Sequence, residues 1–550
     1  MHEVFGEFAL LLAAATLAGV LAVWLRQPLL VAFIVVGIVV GPAVTGRVSL
    51  RDPVDLLGQL GVSVLLFAVG LKLDLAHVRH IGPVALATGL GQLAFTIAIG
   101  FVLLLALDRG PVEALYVAVA LTFSSTIIIV KLLSDKRELD TLHGRIAVGF
   151  LIVQDLAVVI AMMAMSVLGS DAGGGPAEVA ATLALRLGAA AVATSAAMRW
   201  VLPAVLVVVG RSQELLLLFA VAWGAGLAAL GEWAGFSKEA GAFLAGFTLA
   251  STGYRDAIGA RITGLRDFLL LFFFVSLGAG LSFDAIGDQV LATVVLSLFV
   301  LVGNPLIVLA IMGAMGYRRR TGFLAGLTVA QISEFSIVFV AMGVALGHVG
   351  DDALRLTTLV GLVTIATSTY MILYSHALYE RLAPWLRVFE RRVPWRESGA
   401  AAFGPQAPRR DAVVFGLGRY GLAVAEGLAA HGLRVAGVDF DPEVVRRCAG
   451  ARVEVRYGDA TDAELFAELP PDASGWLVAA LPDVASNREF VANARRHGFR
   501  GPIAVVARDP ADTGPLTDAG ATTVLYPIDD AAGRAADTLA AAIRAPGAAR

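Results

Sequence analysis

About 13 times between Val4 and Leu378 the chain runs through roughly 20 consecutive residues dominated by Val, Leu, Ile, Ala and Phe, the length a helix needs to cross the hydrocarbon of a bilayer. Lipid offers no hydrogen bonds, so a crossing segment must satisfy its own backbone, and runs this long specify helices. They open near Val4, Leu29, Val54, Ile81, Val112, Arg145, Ala177, Glu214, Phe236, Leu265, Ile286, Gly322 and Leu354, the seventh being interrupted by Arg186 and Arg199. With 58% hydrophobic and 16% charged residues, the composition excludes an ordinary soluble protein. The first run follows Met1-His2-Glu3, without a basic leader, and another begins at Leu29, so it reads as a retained span.

Basic residues mark the loops that stay in the cytoplasm. Alternate connections carry Lys72 with Arg79, then Lys131, Lys136, Arg137 and Arg145, then Arg211, then Arg255, Arg261 and Arg266, then Arg318 to Arg320; the loops between them hold Asp171, Asp284, Asp288, Asp351 and Asp352. This alternation predicts an outside N-terminus and a cytoplasmic C-terminus. A net charge of −3 points to no nucleic-acid partner. Cys448 is the single cysteine, which excludes an intrachain disulfide and a cysteine-built metal site.

Within the sixth run, Gly149-Phe150-Leu151-Ile152-Val153-Gln154-Asp155-Leu156-Ala157 places one carboxylate after one amide in otherwise apolar surroundings. An ionised Asp at the centre of a membrane helix costs roughly 2.5–3.5 kcal/mol on insertion scales, so it is expected to face a wet cavity and bind a proton, a cation, or each in turn. The bland alternative is a structural ion pair between helices. Two other spans look broken: Leu121-Thr122-Phe123-Ser124-Ser125-Thr126-Ile127, and Thr328-Val329-Ala330-Gln331-Ile332-Ser333-Glu334-Phe335-Ser336. One such segment in each half of the chain is the pattern of an inverted-repeat transporter, whose crossed discontinuous helices frame a midplane site. Hydroxyls bonding back to their own helix would be the plain alternative.

The order of these elements resembles the Kef-type monovalent cation:proton antiporters of the CPA2 family. The resemblance is carried by Gly70-Leu71-Lys72-Leu73-Asp74, the Thr/Ser-rich crossing, Gln154-Asp155, Phe272-Phe273-Phe274-Val275-Ser276-Leu277-Gly278, and Gln331 to Phe335. It implies a homodimer with a mobile core, Asp155 as the site shared by cation and proton, K+ as the transported ion, and residence among the lipids of a prokaryotic inner membrane. Many relatives carry a Lys in the eleventh span, where this chain has Val302-Gly303-Asn304-Pro305. Asn304 either bonds Asp155 or caps a carbonyl freed by Pro305.

The expected chemistry is competition. A carboxylate withdrawn from water is neutralised by a proton or by a cation, and alternating access turns the competition into exchange, one for one because one carboxylate stands there. Gln154 and the hydroxyls of Thr122, Ser124, Ser125 and Thr126 would complete an all-oxygen shell, the donor set that suits a hard alkali ion held by Asp155. Gln331 and Glu334 are accessory candidates, Glu334 either on a proton path or satisfying backbone donors at the helix break.

Residues 1–380 thus read as the membrane domain and 381–410 as a linker, with Tyr379, Arg381, Trp385 and Arg387 on a short amphipathic helix suited to headgroups, which prolines at 384, 394, 405 and 408 break into an extended connector. Residues 411–550 read as an α/β Rossmann-type domain. Asp411-Ala412-Val413-Val414-Phe415-Gly416-Leu417-Gly418-Arg419-Tyr420-Gly421 joins a strand to a helix through three spaced glycines, and a second strand ends at Asp439. Four further strands, near Val453, Gly475, Ile503 and Thr523, complete the sheet. The domain resembles the RCK/KTN regulatory domains of potassium channels and transporters. That resemblance assigns an adenine nucleotide or NAD(H) to Gly416, Gly418, Arg419, Gly421, Asp439 and Asp459. No substrate domain accompanies it, so an enzyme using it for hydride transfer is disfavoured. A Na+/H+ antiporter and an RCK-gated cation channel are the alternatives in transport, though no loop like a carbonyl selectivity filter occurs.

Overall fold

The structure is a computed structural model that describes residues 2–41, 51–72, 83–136, 138–139, 141–168, 188, 192, 194–233, 238–281, 283–391, 409–440, 442–448, 453–458, 460, 465–466, 474–481 and 483–544. Asp459, the start of the seventh apolar run near Ala177, the Leu73-Asp74 end of the third-span motif and the prolines at 394, 405 and 408 lie outside the described residues. The chain divides into two compact units, residues 1–314 with 319–389, and residues 315–318 with 390–550.

The first unit is helical. Eight helices among the described residues are long and apolar enough to cross a membrane, and shorter apolar helices accompany them. In chain order they are α1 (His2–Trp24), α2 (Leu29–Val40), α3 (Arg51–Lys72), α4 (Pro83–Ala106), α5 (Pro111–Ala120), α6 (Thr126–Asp135), α7 (Leu142–Leu168), α8 (Leu202–Val209), α9 (Gln213–Trp233), α10 (Lys238–Ala250), α11 (Arg255–Ala279), α12 (Phe283–Leu298), α13 (Asn304–Ala314), α14 (Arg319–Leu327), α15 (Glu334–Ala345), α16 (Asp351–Leu373) and α17 (Ser375–Leu386). Both spans expected to break do so, as α5 with α6 and as α14 with α15, whereas Pro384, expected to help break the linker helix, lies inside α17. Helix α11 begins at Arg255, ahead of the apolar run at Leu265, because helix continues past the hydrocarbon where charged residues are solvated. Between α12 and α13 a π-turn at Phe299–Gly303 precedes Asn304-Pro305. The proline has no N–H and its ring crowds the preceding turn, and the widened turn relieves the clash.

Helices in lipid gain little from hiding apolar surface, so close packing must hold them together. Glycines let it happen. A Cβ on Gly246 of α10 would lie 1.9 Å from the Phe67 carbonyl oxygen of α3, and one on Gly70 would lie 2.1 Å from the Phe243 carbonyl oxygen of α10. Outward-facing Leu17, Val20 and Trp24 of α1 and Val207 and Val208 of α8 are exposed, the polarity a lipid-facing surface needs.

The second unit is a six-stranded, all-parallel sheet in the order β3-β2-β1-β4-β5-β6. Its strands are β1 (Arg410–Phe415), β2 (Val435–Asp439), β3 (Glu454–Tyr457), β4 (Ser474–Ala479), β5 (Ile503–Val506) and β6 (Thr523–Leu525). Helices α18 (Arg419–Ala430), α19 (Pro442–Arg447), α20 (Val484–Arg496), α21 (Thr513–Asp518) and α22 (Pro527–Arg544) alternate with them. Along β1, Val413 and Phe415 enter one apolar cluster and Val414 the other, as period-two alternation requires of a sheet covered on both faces. The strand order reverses between β1 and β4, and the crevice beyond their carboxyl ends is where ligands bind in such sheets.

Replacing Gly246 by Ala should lower stability by roughly 1–3 kcal/mol, since the new methyl meets backbone that cannot step aside. Thermal unfolding in detergent checks this, with Gly226→Ala as the control because a Cβ there meets nothing within 4 Å.

Candidate ion site and nucleotide crevice

Helix α5 ends at Ala120 and α6 starts at Thr126, which leaves carbonyl groups in the gap without helical partners. Side chains from three other helices supply them. The Ser336 hydroxyl of α15 donates to the Ala120 carbonyl at 2.6 Å and lies 3.4 Å from that of Phe123. Asn304 Nδ2 donates to the Leu121 carbonyl at 3.1 Å, and Gln92 Nε2 to the Thr122 carbonyl at 3.3 Å. The first interruption is therefore bonded directly to the second. Residues Ala120 to Ser125 are all buried.

Asp155 on α7 is half-buried and faces this gap. The Thr126 hydroxyl, in the first turn of α6, donates to Asp155 Oδ2 at 2.9 Å. The carboxylate thus sits at the positive end of a half-helix dipole, where negative charge is favoured. Gln154 turns the other way: its Oε1 accepts from the Ser124 N–H at 3.0 Å and its Nε2 donates to Gln92 Oε1 at 2.9 Å. Thr122 donates its hydroxyl back to the Val119 carbonyl. Ser124 Oγ and Ser125 Oγ, on the two residues that precede Thr126, are buried without a hydrogen-bond partner.

In the second interruption Ser333 caps α15 through a reciprocal capping box with Ser336. Glu334 follows as the first helical residue, buried, with Oε2 accepting from the Ser333 hydroxyl at 3.2 Å, so it sits among the donors of a helix start. Gln331 Oε1 accepts from Ser368 at 2.8 Å, while its Nε2 is buried without a partner. Asn304 takes neither of its expected roles. Thr96 donates to its Oδ1 at 2.8 Å and its Nδ2 reaches across to Leu121, so it caps a carbonyl freed by the crossing rather than by Pro305.

Gln92 and Thr96 were missed in the sequence, although the signal is there. Thr88, Gln92 and Thr96 recur every fourth residue on the apolar α4 and are all fully buried, one polar stripe on one helix face.

In the sheet unit, Gly416 closes β1 with φ +83°, a left-handed conformation that favours glycine. A Cβ on Gly421 would lie 1.8 Å from the Gly416 carbonyl oxygen, whereas one on Gly418 meets nothing within 4 Å. Gly418 is the N-cap of α18 and offers no capping side chain, so the N–H groups of the first turn point into the crevice, where they suit a phosphate. Arg419 is exposed in that turn. Asp439, buried at the end of β2, accepts the Leu417 N–H through Oδ2 at 2.6 Å and so steadies the glycine loop beside the place a ribose would take. These residues fit a dinucleotide or adenine nucleotide.

A family profile described as sodium/hydrogen exchanger, transmembrane, matches residues 11–373, well over half of the chain. The chain belongs to the sodium/hydrogen exchanger family. A TrkA-N domain profile matches residues 412–527. This exchanger is similar to the glutathione-regulated potassium-efflux system protein KefC of Klebsiella pneumoniae, with 29% identity over 90% of this chain and 78% of that one. It is also similar to the iron transporter MagA of Paramagnetospirillum magneticum, with 29% identity over 71% of this chain and 90% of that one. Among solved structures, the sodium proton antiporter MjNhaP1 of Methanocaldococcus jannaschii aligns with 71% of this chain and 99% of its own, at 15% identity and a TM-score of 0.46.

The exchanger also carries a charge cluster at one end of α6. Glu138, in the connection to α7, pairs with Lys136 at 2.9 Å and with His143 at 3.2 Å and His376 at 2.8 Å. Lys136 Nζ further donates to Ser375 and to the Ile372 carbonyl, tying the connection to α16 and α17. Burial works against a charged Glu138, but the two histidine hydrogen bonds and the Lys136 charge outweigh it and hold the carboxyl well below the ordinary glutamate range. A depressed carboxylate pKa adds stability above the unfolded value and loses it as pH falls. Glu138→Gln should therefore cost roughly 1.5–3 kcal/mol at neutral pH, the worth of hydrogen bonds to a charged group. The gap to the parent should narrow below about pH 4.3, read by thermal unfolding across pH.

Proposed function

We propose that this cation/proton antiporter exchanges K+ for H+ by alternating access, with Asp155 holding the two ions in turn. The observation that carries the reading is a half-buried carboxylate bonded to the first turn of a broken helix whose Ser124 and Ser125 hydroxyls are buried and unpartnered. A desolvated carboxylate is neutral when it holds either a proton or an alkali ion, and the core moves only when it is neutral. With one carboxylate the exchange is one for one. Potassium rests on similarity to the potassium-efflux relative, and sodium is the alternative that the family's own description favours.

The sheet unit regulates transport by binding an adenine nucleotide or NAD(H) across Gly416, Gly418 and Gly421 with Asp439 at the ribose, favouring one conformation of the assembly over another. The protein works as a homodimer in the inner membrane of a prokaryote, with the sheet unit in the cytoplasm. Exposed Ile528, Leu539 and Ile543 on α22 support a second copy as its partner.

Asp155→Asn should reduce cation-driven proton movement in everted vesicles to the level of empty vesicles, and exchange retained in that variant would end the single-carboxylate scheme. The parent assayed with K+, Rb+, Na+ and Li+ decides the ion. For the regulatory site, Gly418→Ala should leave the fold intact, because the methyl meets open space, yet weaken nucleotide binding about tenfold by calorimetry through contact with the pyrophosphate.

A further inference from the structure

Beside Asp155 runs a chain of four hydrogen bonds in which every member donates to the next. Gln154 Nε2 donates to Gln92 Oε1 at 2.9 Å, Gln92 Nε2 to Thr96 Oγ1 at 3.2 Å, Thr96 Oγ1 to Asn304 Oδ1 at 2.8 Å, and Asn304 Nδ2 to the Leu121 carbonyl at 3.1 Å. It begins on the residue before the carboxylate and ends on the backbone of the crossing, spanning α7, α4 and α13. All four side chains are buried.

Because an amide has one accepting and one donating end, the chain has a direction. The Thr96 hydroxyl on Asn304 Oδ1 turns the amide nitrogen toward Leu121. Gln92 Oε1 draws the Gln154 nitrogen, which leaves the Gln154 oxygen facing the Ser124 N–H. Two backbone carbonyls of the interruption, those of Leu121 and Thr122, are thereby turned to side-chain donors. The Ser124 and Ser125 hydroxyls stay uncommitted. The chain thus fixes the Leu121 and Thr122 carbonyls and the Ser124 N–H, the backbone that leads into Thr126 and its bond to Asp155. We propose that Gln92 and Thr96 are positioning residues that set the cation affinity and selectivity of the exchange site without touching the ion. None of the four side chains titrates in the physiological range, so their removal acts on the cation and leaves the proton's competition in place.

The inference rests on Asp155 being the exchange site, and Asp155→Asn in the same vesicles tests that separately: exchange surviving in that variant defeats the reading of the site itself. With that established, Thr96→Val keeps the shape of the side chain and deletes its hydroxyl. It should raise the half-saturating K+ concentration about tenfold and alter the ratio of K+ to Na+ transport. The maximal rate should stay within about twofold, since the interaction lost bears on cation binding alone. The pH midpoint extrapolated to zero cation should not move, while at a fixed high K+ concentration it should rise by up to about one pH unit, because the weaker-bound cation competes less well with the proton. Thr96→Ser, which keeps the hydroxyl, should restore the parent values. Gln92→Asn, a neutral amide too short to span the chain, should reproduce the shift and serves if the valine variant does not fold. A fall in rate with unchanged half-saturation and ion ratio, in whichever variant folds, overturns the proposal, as does failure of both Thr96→Val and Gln92→Asn to fold, which would make the chain a structural brace.

Discussion

A helix that stops halfway through a membrane exposes carbonyls that lipid cannot satisfy, and the membrane unit is built around meeting that demand. Ser336 serves Ala120, Asn304 serves Leu121 and Gln92 serves Thr122, each from a different helix. Left unmet, each buried carbonyl would cost about 1–3 kcal/mol. The polar side chains that look misplaced in apolar helices are the caps of another helix's end, and they bind α4, α5, α13 and α15 into one body around the break.

Beside the capped carbonyls the break holds groups of one chemical kind. The Asp155 carboxylate accepts the Thr126 hydroxyl at the start of α6, and the Ser124 and Ser125 hydroxyls are buried without a hydrogen-bond partner. No basic side chain stands at position 304, where an amide instead joins a neutral chain.

The sheet unit answers to different physics. Its glycine loop is shaped by near contact of Gly421 with Gly416, by the left-handed Gly416 and by the carboxylate of Asp439 on Leu417 N–H. The open space at Gly418 faces the helix N-terminus where a phosphate is most favoured. A long apolar chain and a parallel sheet coexist because each buries its backbone polar groups within its own unit.

By itself the amino-acid sequence determined the elements whose signal is local. Apolar length marked the spans, clustered Ser, Thr and Gln marked the two breaks, an isolated carboxylate marked Asp155, and glycine spacing with Asp439 marked the nucleotide loop, because each of these depends on neighbours within a few residues. The tertiary structure alone decided the partners. That Asn304 serves Leu121, that Gln154 turns to Gln92 and the Ser124 N–H, and that Glu138 collects Lys136, His143 and His376 involve residues up to 238 positions apart. The every-fourth-residue stripe of Thr88, Gln92 and Thr96 was legible as a polar face, but a face has no meaning until something packs on it. Hydrogen-bond direction belongs to pairs of groups brought together in space, and one strand of sequence carries only half of each pair.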